Sequence, residues 1–129
     1  MSRREEPMMV KVIARFLHAR TGLPLSEKGI RACLYDRDIA NDDRLAECPL
    51  NPQGEAHWLF ELSRAASADS PREQSPDLYA ELDTDGNVFF QTPVTENLDF
   101  ITPDRVSGER NRQTAFLGEF HVNLPELRA

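Results

Sequence analysis

Four aspartates lie within eight residues, and no other residues in the chain suggest a chemical function so clearly by type and spacing. They are Asp36, Asp38, Asp42 and Asp43. Hard cations such as calcium bind about six to eight oxygen ligands, and carboxylates in a loop can converge to supply them. Arg37 and Arg44 lie in the same segment and would offset part of the mutual repulsion. The segment therefore predicts a loop that either binds a cation or stays solvated.

Further carboxylates could complete such a site if they lie at the same end of the fold. When successive strands alternate in direction, the loop 36–44 shares one end of the molecule with the segments 63–77 and 93–113. Asp77 and Asp99 lie in those two segments. The resulting candidate calcium ligands are Asp36, Asp38, Asp43, Asp77 and Asp99.

Catalytic arrangements are not evident among the other polar residues. The sequence has no Gly-x-Ser-x-Gly nucleophile motif. Cys33 has no nearby histidine or predicted helix N-terminus to lower the pKa of its thiol. His57 alternates with the apolar Trp58, so we expect its side chain to be exposed. A small hydrolase remains an alternative, which a cleft containing His57, Glu61 and another polar residue would support.

Charge and composition limit the classes of partner. The 129 residues carry a formal charge of −7, which would repel a nucleic-acid backbone. No apolar run approaches the roughly 20 residues that span a bilayer, and the N-terminal residues lack the apolar stretch of a signal peptide. We therefore expect a cytoplasmic protein without nucleic-acid binding or membrane insertion. The length suits one domain over residues 1–129.

Apolar residues that alternate with polar ones predict the strands that would carry these side chains. Proline, glycine and asparagine turns separate the runs, and Asp83–Asn87 is a strong hairpin signal at the end opposite the acidic loop. Residues 1–7 are expected to be flexible, and 63–76 and 101–113 to form long polar loops. The predicted strands are Met9–Leu17, Ile30–Tyr35, Leu45–Cys48, Glu55–Leu62, Leu78–Leu82, Val88–Thr92 and Thr114–Val122.

Side-chain alternation also predicts which residues of a strand share a face. One predicted set is Ala56, Trp58, Phe60 and Leu62, and a second is Phe116, Phe120 and Val122. Pairing Asp36 with Leu45 would place Cys33 opposite Cys48, within reach of a disulfide bond, although two reduced thiols suit the cytoplasm better. Together these features predict an all-β, seven- to eight-stranded antiparallel sandwich.

Four motifs in order resemble the transthyretin-like and prealbumin-like β-sandwich proteins, most closely in pattern the nematode-type transthyretin-like proteins. The motifs are Thr21–Leu25, Cys33–Asp38 followed by Asp42–Leu45, Asn51–Gly54, and Pro76–Tyr79. The resemblance implies a Greek-key sandwich and self-association through an edge strand. Hydroxyisourate hydrolases share this sandwich but end in Tyr-Arg-Gly-Ser, which this chain lacks.

The sequence thus favours a non-catalytic binding module of transthyretin-like type, with a protein as its partner and without a cofactor. That protein partner could be a second copy of the chain, bound through an edge strand in a homodimer. The alternative is a calcium-dependent binding module that uses the acidic loop 36–43.

Overall fold

Seven β-strands make up the regular structure of the part of the chain that the computed structural model describes, residues 9–37, 42–61, 77–96 and 112–124. The strands are β1 (Met9–His18), β2 (Ile30–Asp36), β3 (Asp43–Pro49), β4 (Glu55–Glu61), β5 (Leu78–Thr84), β6 (Asn87–Gln91) and β7 (Arg112–Val122). Arg112 and Gln113, which we predicted in the loop 101–113, are the first residues of β7. The predicted loop 63–76 and the flexible segment 1–7 lie outside the described residues.

The strands form two sheets, in agreement with the predicted all-β sandwich. A three-stranded sheet has the order β4-β1-β7, and a four-stranded sheet has the order β3-β2-β5-β6. All pairs are antiparallel except β1 and β7, which run parallel. This parallel pair is the exception, among the described strands, to the predicted antiparallel arrangement. Parallel neighbours need a long crossover connection, and the whole of the chain between the first and last strands supplies it. The Greek-key connection stays a prediction.

The core lies between the two sheets and follows the alternation of the strands. In β4, Ala56, Trp58 and Phe60 are buried, as predicted, while Leu62 lies outside the described residues. Trp58 also links the two layers, since its indole Nε1–H donates to the carbonyl of Ala32 in β2 at 3.0 Å. Burial of a side chain this large contributes several kcal/mol to such a core, on the order of 25 cal/mol per Å².

A β-bulge in β7 changes which of its residues point inward. Ile13 pairs with Phe116, but the next residue of β1, Ala14, pairs with Gly118, so Leu117 is the extra residue. Leu117 is 7% exposed, whereas Phe116 is 57% exposed. The prediction that Phe116 shares a face with Phe120 and Val122 is therefore wrong. One inserted residue reverses the in–out alternation along a strand, and apolar patterning does not reveal it.

The four-stranded sheet has two distinct ends. Asp36 at the end of β2 is paired with Asp43 of β3 and with Leu78 of β5. At the start of β2, Arg31 is paired with Asp83. The directions of the strands thus agree with the predicted opposition of the acidic loop and the Asp83–Asn87 hairpin. Among the described residues there is no helix that is long and apolar enough to cross a membrane.

Candidate functional site

An apolar patch covers the outer face of the three-stranded sheet, the face that points away from the core. We define it by Met9, Ile13, Leu59 and Phe116, with Lys11 among them, and call it the outer patch. Leu59 is 46% exposed and Phe116 57% exposed, while Met9 and Ile13 are half-buried. Alternation along β1 and β4 brings these side chains to the surface, because their neighbours in sequence fill the core.

The register of the three strands makes these residues neighbours. Ile13 is paired with Phe116 of β7 on one side and with His57 of β4 on the other. Lys11, two residues earlier, is paired with Leu59. Neighbouring strands of a sheet lie only about 4.8 Å apart, so Ile13 and Phe116, paired on the same face, form one continuous apolar surface. Lys11 is the cation at its centre, and no described residue forms an ion pair with it.

A charged row borders the outer patch. Arg15 of β1 lies between Glu55 of β4 and Glu119 of β7, and its Nη1 is 3.7 Å from Oε2 of Glu119. Oε1 of Glu55 is 3.0 Å from Nε2 of His57 and accepts a hydrogen bond of 3.2 Å from the Asn51 amide. The hydrogen bonds from His57 and then Asn51 lower the pKa of Glu55. The outer patch thus consists of apolar side chains around Lys11, and this charged row is its polar rim.

The hydrolase alternative required His57 and Glu61 to share a cleft. His57 is exposed, as predicted, and its hydrogen-bond partner is Glu55. Glu61 lies at the far end of β4, where it is paired with Met9. The two side chains thus belong to different rows of the same strand, and His57 contacts the rim of the outer patch through Glu55.

The described members of the predicted calcium set lie at one end of the four-stranded sheet. Asp36 is 9% exposed and is paired with Asp43. The backbone N–H of Arg37 donates to the carbonyl of Asp77 at 2.9 Å, which places Asp77 beside the end of β2. Asp38 and Asp99 lie outside the described residues.

A tyrosine engages a further carboxylate at this acidic end. The hydroxyl of Tyr79 donates to Oδ2 of Asp42 at 2.6 Å, and its ring stacks on Tyr35 at 5.3 Å between centroids. Burial, followed by the hydrogen bond to Asp42, raises the pKa of Tyr79. Within the described ranges, no three His, Cys, Asp or Glu side chains are grouped so that they could hold a metal ion.

An ion-pair network crosses the outer face of the four-stranded sheet. Arg31 donates from Nη2 to Oδ2 of Asp83 at 3.0 Å and from Nη1 to Oε2 of Glu47 at 2.9 Å. Asp83 is 6% exposed, so little water reaches its carboxylate, and the Arg31 guanidinium supplies hydrogen bonds in place of water. Sequence reasoning placed Asp83 in a turn and missed this pairing. The pairing connects residues 52 positions apart, and no local pattern indicates it.

The two cysteines point to opposite sides of the four-stranded sheet and are both free. Cys33 is paired with Glu47 and Cys48 with Ala32, because Asp36 pairs with Asp43 instead of Leu45 and the register shifts by one residue between Leu34 and Tyr35. The predicted register that would bring the two thiols together is therefore wrong. Burial raises the pKa of Cys33, and it raises the pKa of Cys48 to about 11, so neither thiol is activated as a nucleophile.

Comparison with known proteins bears on the fold alone. No family model matches the sequence, and no curated protein matches it. Among solved structures, the chain is similar to part of a 9R-lipoxygenase from Cyanothece PCC8801, with a TM-score of 0.52 and 17% sequence identity. The similarity covers 94% of this chain but 18% of the lipoxygenase. A similar fold thus occurs as a small part of a much longer chain.

Proposed function

We propose that this chain is a protein-binding module that uses the outer patch as its docking surface. The observation that carries the proposal is the 57% exposure of Phe116 beside the half-buried Ile13 and the exposed Leu59. Contiguous apolar patches on soluble domains commonly mark interaction sites, and aromatic side chains are frequent anchors of such interfaces. Burial of Phe116 by a partner would also remove the apolar surface that promotes aggregation.

The charges around the patch support a protein as the partner. Apolar contacts within a polar rim are the usual anatomy of a protein–protein interface. The rim is formed by Glu55, Arg15 and Glu119, and it would define the orientation of the partner. Lys11, which forms no ion pair with a described residue, favours a partner that presents a carboxylate next to its apolar contact.

The test compares a charge placed within the patch with the same charge placed elsewhere. Proteins captured by the wild-type chain from its native lysate should be lost with Phe116→Glu and retained with Val88→Glu. Val88 is the matched control because it is 51% exposed but lies on β6 of the other sheet. A captured protein is then purified, and its Kd for the three chains is measured by calorimetry. Equal Kd values for wild type and Phe116→Glu contradict the proposal.

A second copy of this chain is one candidate for the partner. β7 is 11 residues long, and β1 is its only neighbour in the described part of its sheet. Its outer edge therefore offers backbone donors and acceptors to a further strand. Sedimentation equilibrium over a hundredfold range of concentration should then show a shift from monomer to dimer. A constant monomeric mass excludes the homodimer, while the lysate experiment still tests a different partner.

Calcium-dependent binding is the second candidate function, and it rests on the location of Asp36, Asp43 and Asp77 at one end of the four-stranded sheet. The described side chains alone do not form a metal-holding group, so such a site would need further ligands from outside the described residues. A cation that binds only the folded chain raises its stability, by about 2.7 kcal/mol at a hundred times its Kd. Millimolar calcium should therefore raise the Tm of the wild type and of Asp85→Asn, a control in the opposite hairpin, but not that of Asp36→Asn. An unchanged wild-type Tm together with no heat of calcium binding would exclude calcium-dependent binding.

A further inference from the structure

A cleft lies where the three-stranded sheet ends, between the turn that follows β1 and the residues that follow β7. Its volume is about 530 Å³, within the range of roughly 300–1,000 Å³ that is usual for small-molecule sites. We call it the end cleft. It is lined by His18, Ala19, Arg20, Thr21, Val122, Asn123 and Leu124. The end cleft is separate from the outer patch and does not involve the proposed protein partner.

Backbone hydrogen bonds hold the two walls of the end cleft together. The N–H of Ala19 donates to the carbonyl of Val122 at 2.9 Å and joins the turn to β7. Within the turn, the N–H of Gly22 donates to the carbonyl of His18 at 2.9 Å, and the N–H of His18 donates to that of Leu23 at 2.8 Å. A ligand would therefore enter a site whose backbone is already ordered, which limits the entropic cost of binding.

The polar side chains of the cleft are mainly hydrogen-bond donors. The Arg20 guanidinium carries five N–H groups, and no described residue forms an ion pair with it. Oγ of Thr21 accepts the N–H of Leu23 at 3.2 Å, which leaves its own hydrogen free to donate. The Asn123 amide adds further donors. Oε1 of Glu27 lies 2.6 Å from Nε2 of the lining residue His18 and is engaged there.

We infer that the end cleft binds a small organic anion. Its carboxylate or phosphate group would accept hydrogen bonds from Arg20, Thr21 and Asn123, because a guanidinium fork matches the planar geometry of such oxyanions. The remainder of the ligand would contact Ala19 and Leu124, which supply apolar surface. The volume exceeds what an inorganic ion fills, so an apolar body should add affinity.

The experiment titrates the full chain with three probes and follows backbone amides by NMR. Benzoate and phenyl phosphate share a ring and differ in the anionic group, whereas inorganic phosphate lacks the ring. We expect saturable shifts of the Thr21 and Asn123 amides with at least one of the two aromatic probes, and weaker binding of inorganic phosphate. Tighter binding of benzoate identifies a carboxylate site, and tighter binding of phenyl phosphate identifies a phosphate-ester site.

Variants assign the binding to Arg20. Arg20→Gln should weaken the Kd by about tenfold, the usual loss for one charge-assisted hydrogen-bonded pair. Arg37→Gln removes the same charge beside Asp77 and should leave the Kd unchanged. The inference is overturned if no probe gives saturable shifts at about 10 mM, since a millimolar Kd is the least that such a site should provide. The inference is also overturned if Arg20→Gln binds the probes with the same Kd as the wild type, as Arg37→Gln is expected to do.

Discussion

At the scale of single residues, a few positions are constrained by neighbours that are distant in sequence. Gly54, in the turn before β4, is the clearest case. Its φ is +76°, and a Cβ there would meet the carbonyl oxygen of Phe16 and lie 2.9 Å from the backbone nitrogen of Leu25. The N–H of Phe16 donates to the carbonyl of Gly54 at 2.8 Å. Moving the two segments apart to make room for a Cβ would break this hydrogen bond. Glycine is needed here both for conformation and for space.

Gly54→Ala should therefore destabilise the chain more than another glycine replacement with a similar φ. Gly29→Ala is the matched control, since Gly29 has φ +87° but nothing within 4 Å of an added Cβ. We expect a loss of about 1 kcal/mol for Gly29→Ala from backbone strain, and about 2–3 kcal/mol more for Gly54→Ala from the clash. Chemical denaturation measures both, and equal losses would show that the close approach is absent.

The lowered pKa of Glu55 predicts that the stability of the folded chain depends on pH. Its folded-state pKa is lowered, so its contribution is present above the pKa of the unfolded chain and is lost as the pH falls through the lower, folded value. The Tm of Glu55→Gln should therefore lie below that of the wild type at neutral pH and approach it under acid conditions. A Tm difference that stays constant from neutral pH to pH 3 would contradict this assignment.

At the scale of elements, the bulge in β7 determines which side chains stabilise the fold and which remain available for binding. Leu117 enters the core and Phe116 lies in the outer patch, opposite to what unbroken alternation predicts. Gly118 follows the extra residue with φ +150°, and a Cβ there would lie 2.9 Å from Cζ of Phe120. The bulge thus depends on a residue without a side chain at this position.

Leu117→Ala and Phe116→Ala should differ sharply in stability. A buried leucine reduced to alanine costs about 2–5 kcal/mol, whereas loss of an exposed ring costs less than about 1 kcal/mol. Urea denaturation of both variants gives the comparison directly. The reverse order would indicate that β7 continues without a bulge and that Phe116 faces the core.

At the scale of the whole molecule, the core between the sheets depends on contacts that cross from one layer to the other. Trp58 is 1% exposed and is the only tryptophan of the chain. Its hydrogen bond to the Ala32 carbonyl joins β4 to β2, and the surrounding core includes residues of both sheets. Its fluorescence therefore reports on the integrity of the sandwich as a unit.

Trp58→Phe should destabilise the sandwich by about 2–4 kcal/mol, through lost volume and an Ala32 carbonyl left without its donor. In the wild type, fluorescence and circular dichroism should show one coincident transition in urea, since the two sheets share one core. Separate transitions for the two signals would mean that the sheets unfold independently.

The sequence alone was sufficient to predict the strands, the buried face of β4 and the opposite locations of Asp36 and Asp83. These features follow from side-chain alternation and turn residues, which act over a few neighbouring positions. The tertiary structure decided the exposure of Phe116, the parallel pairing of β1 with β7, and the partnership of Arg31 with Asp83. Each of these depends on the register between strands that are distant in sequence. A single extra residue in one strand changes what the next strand meets, so only the assembled sheets determine the surface available for binding.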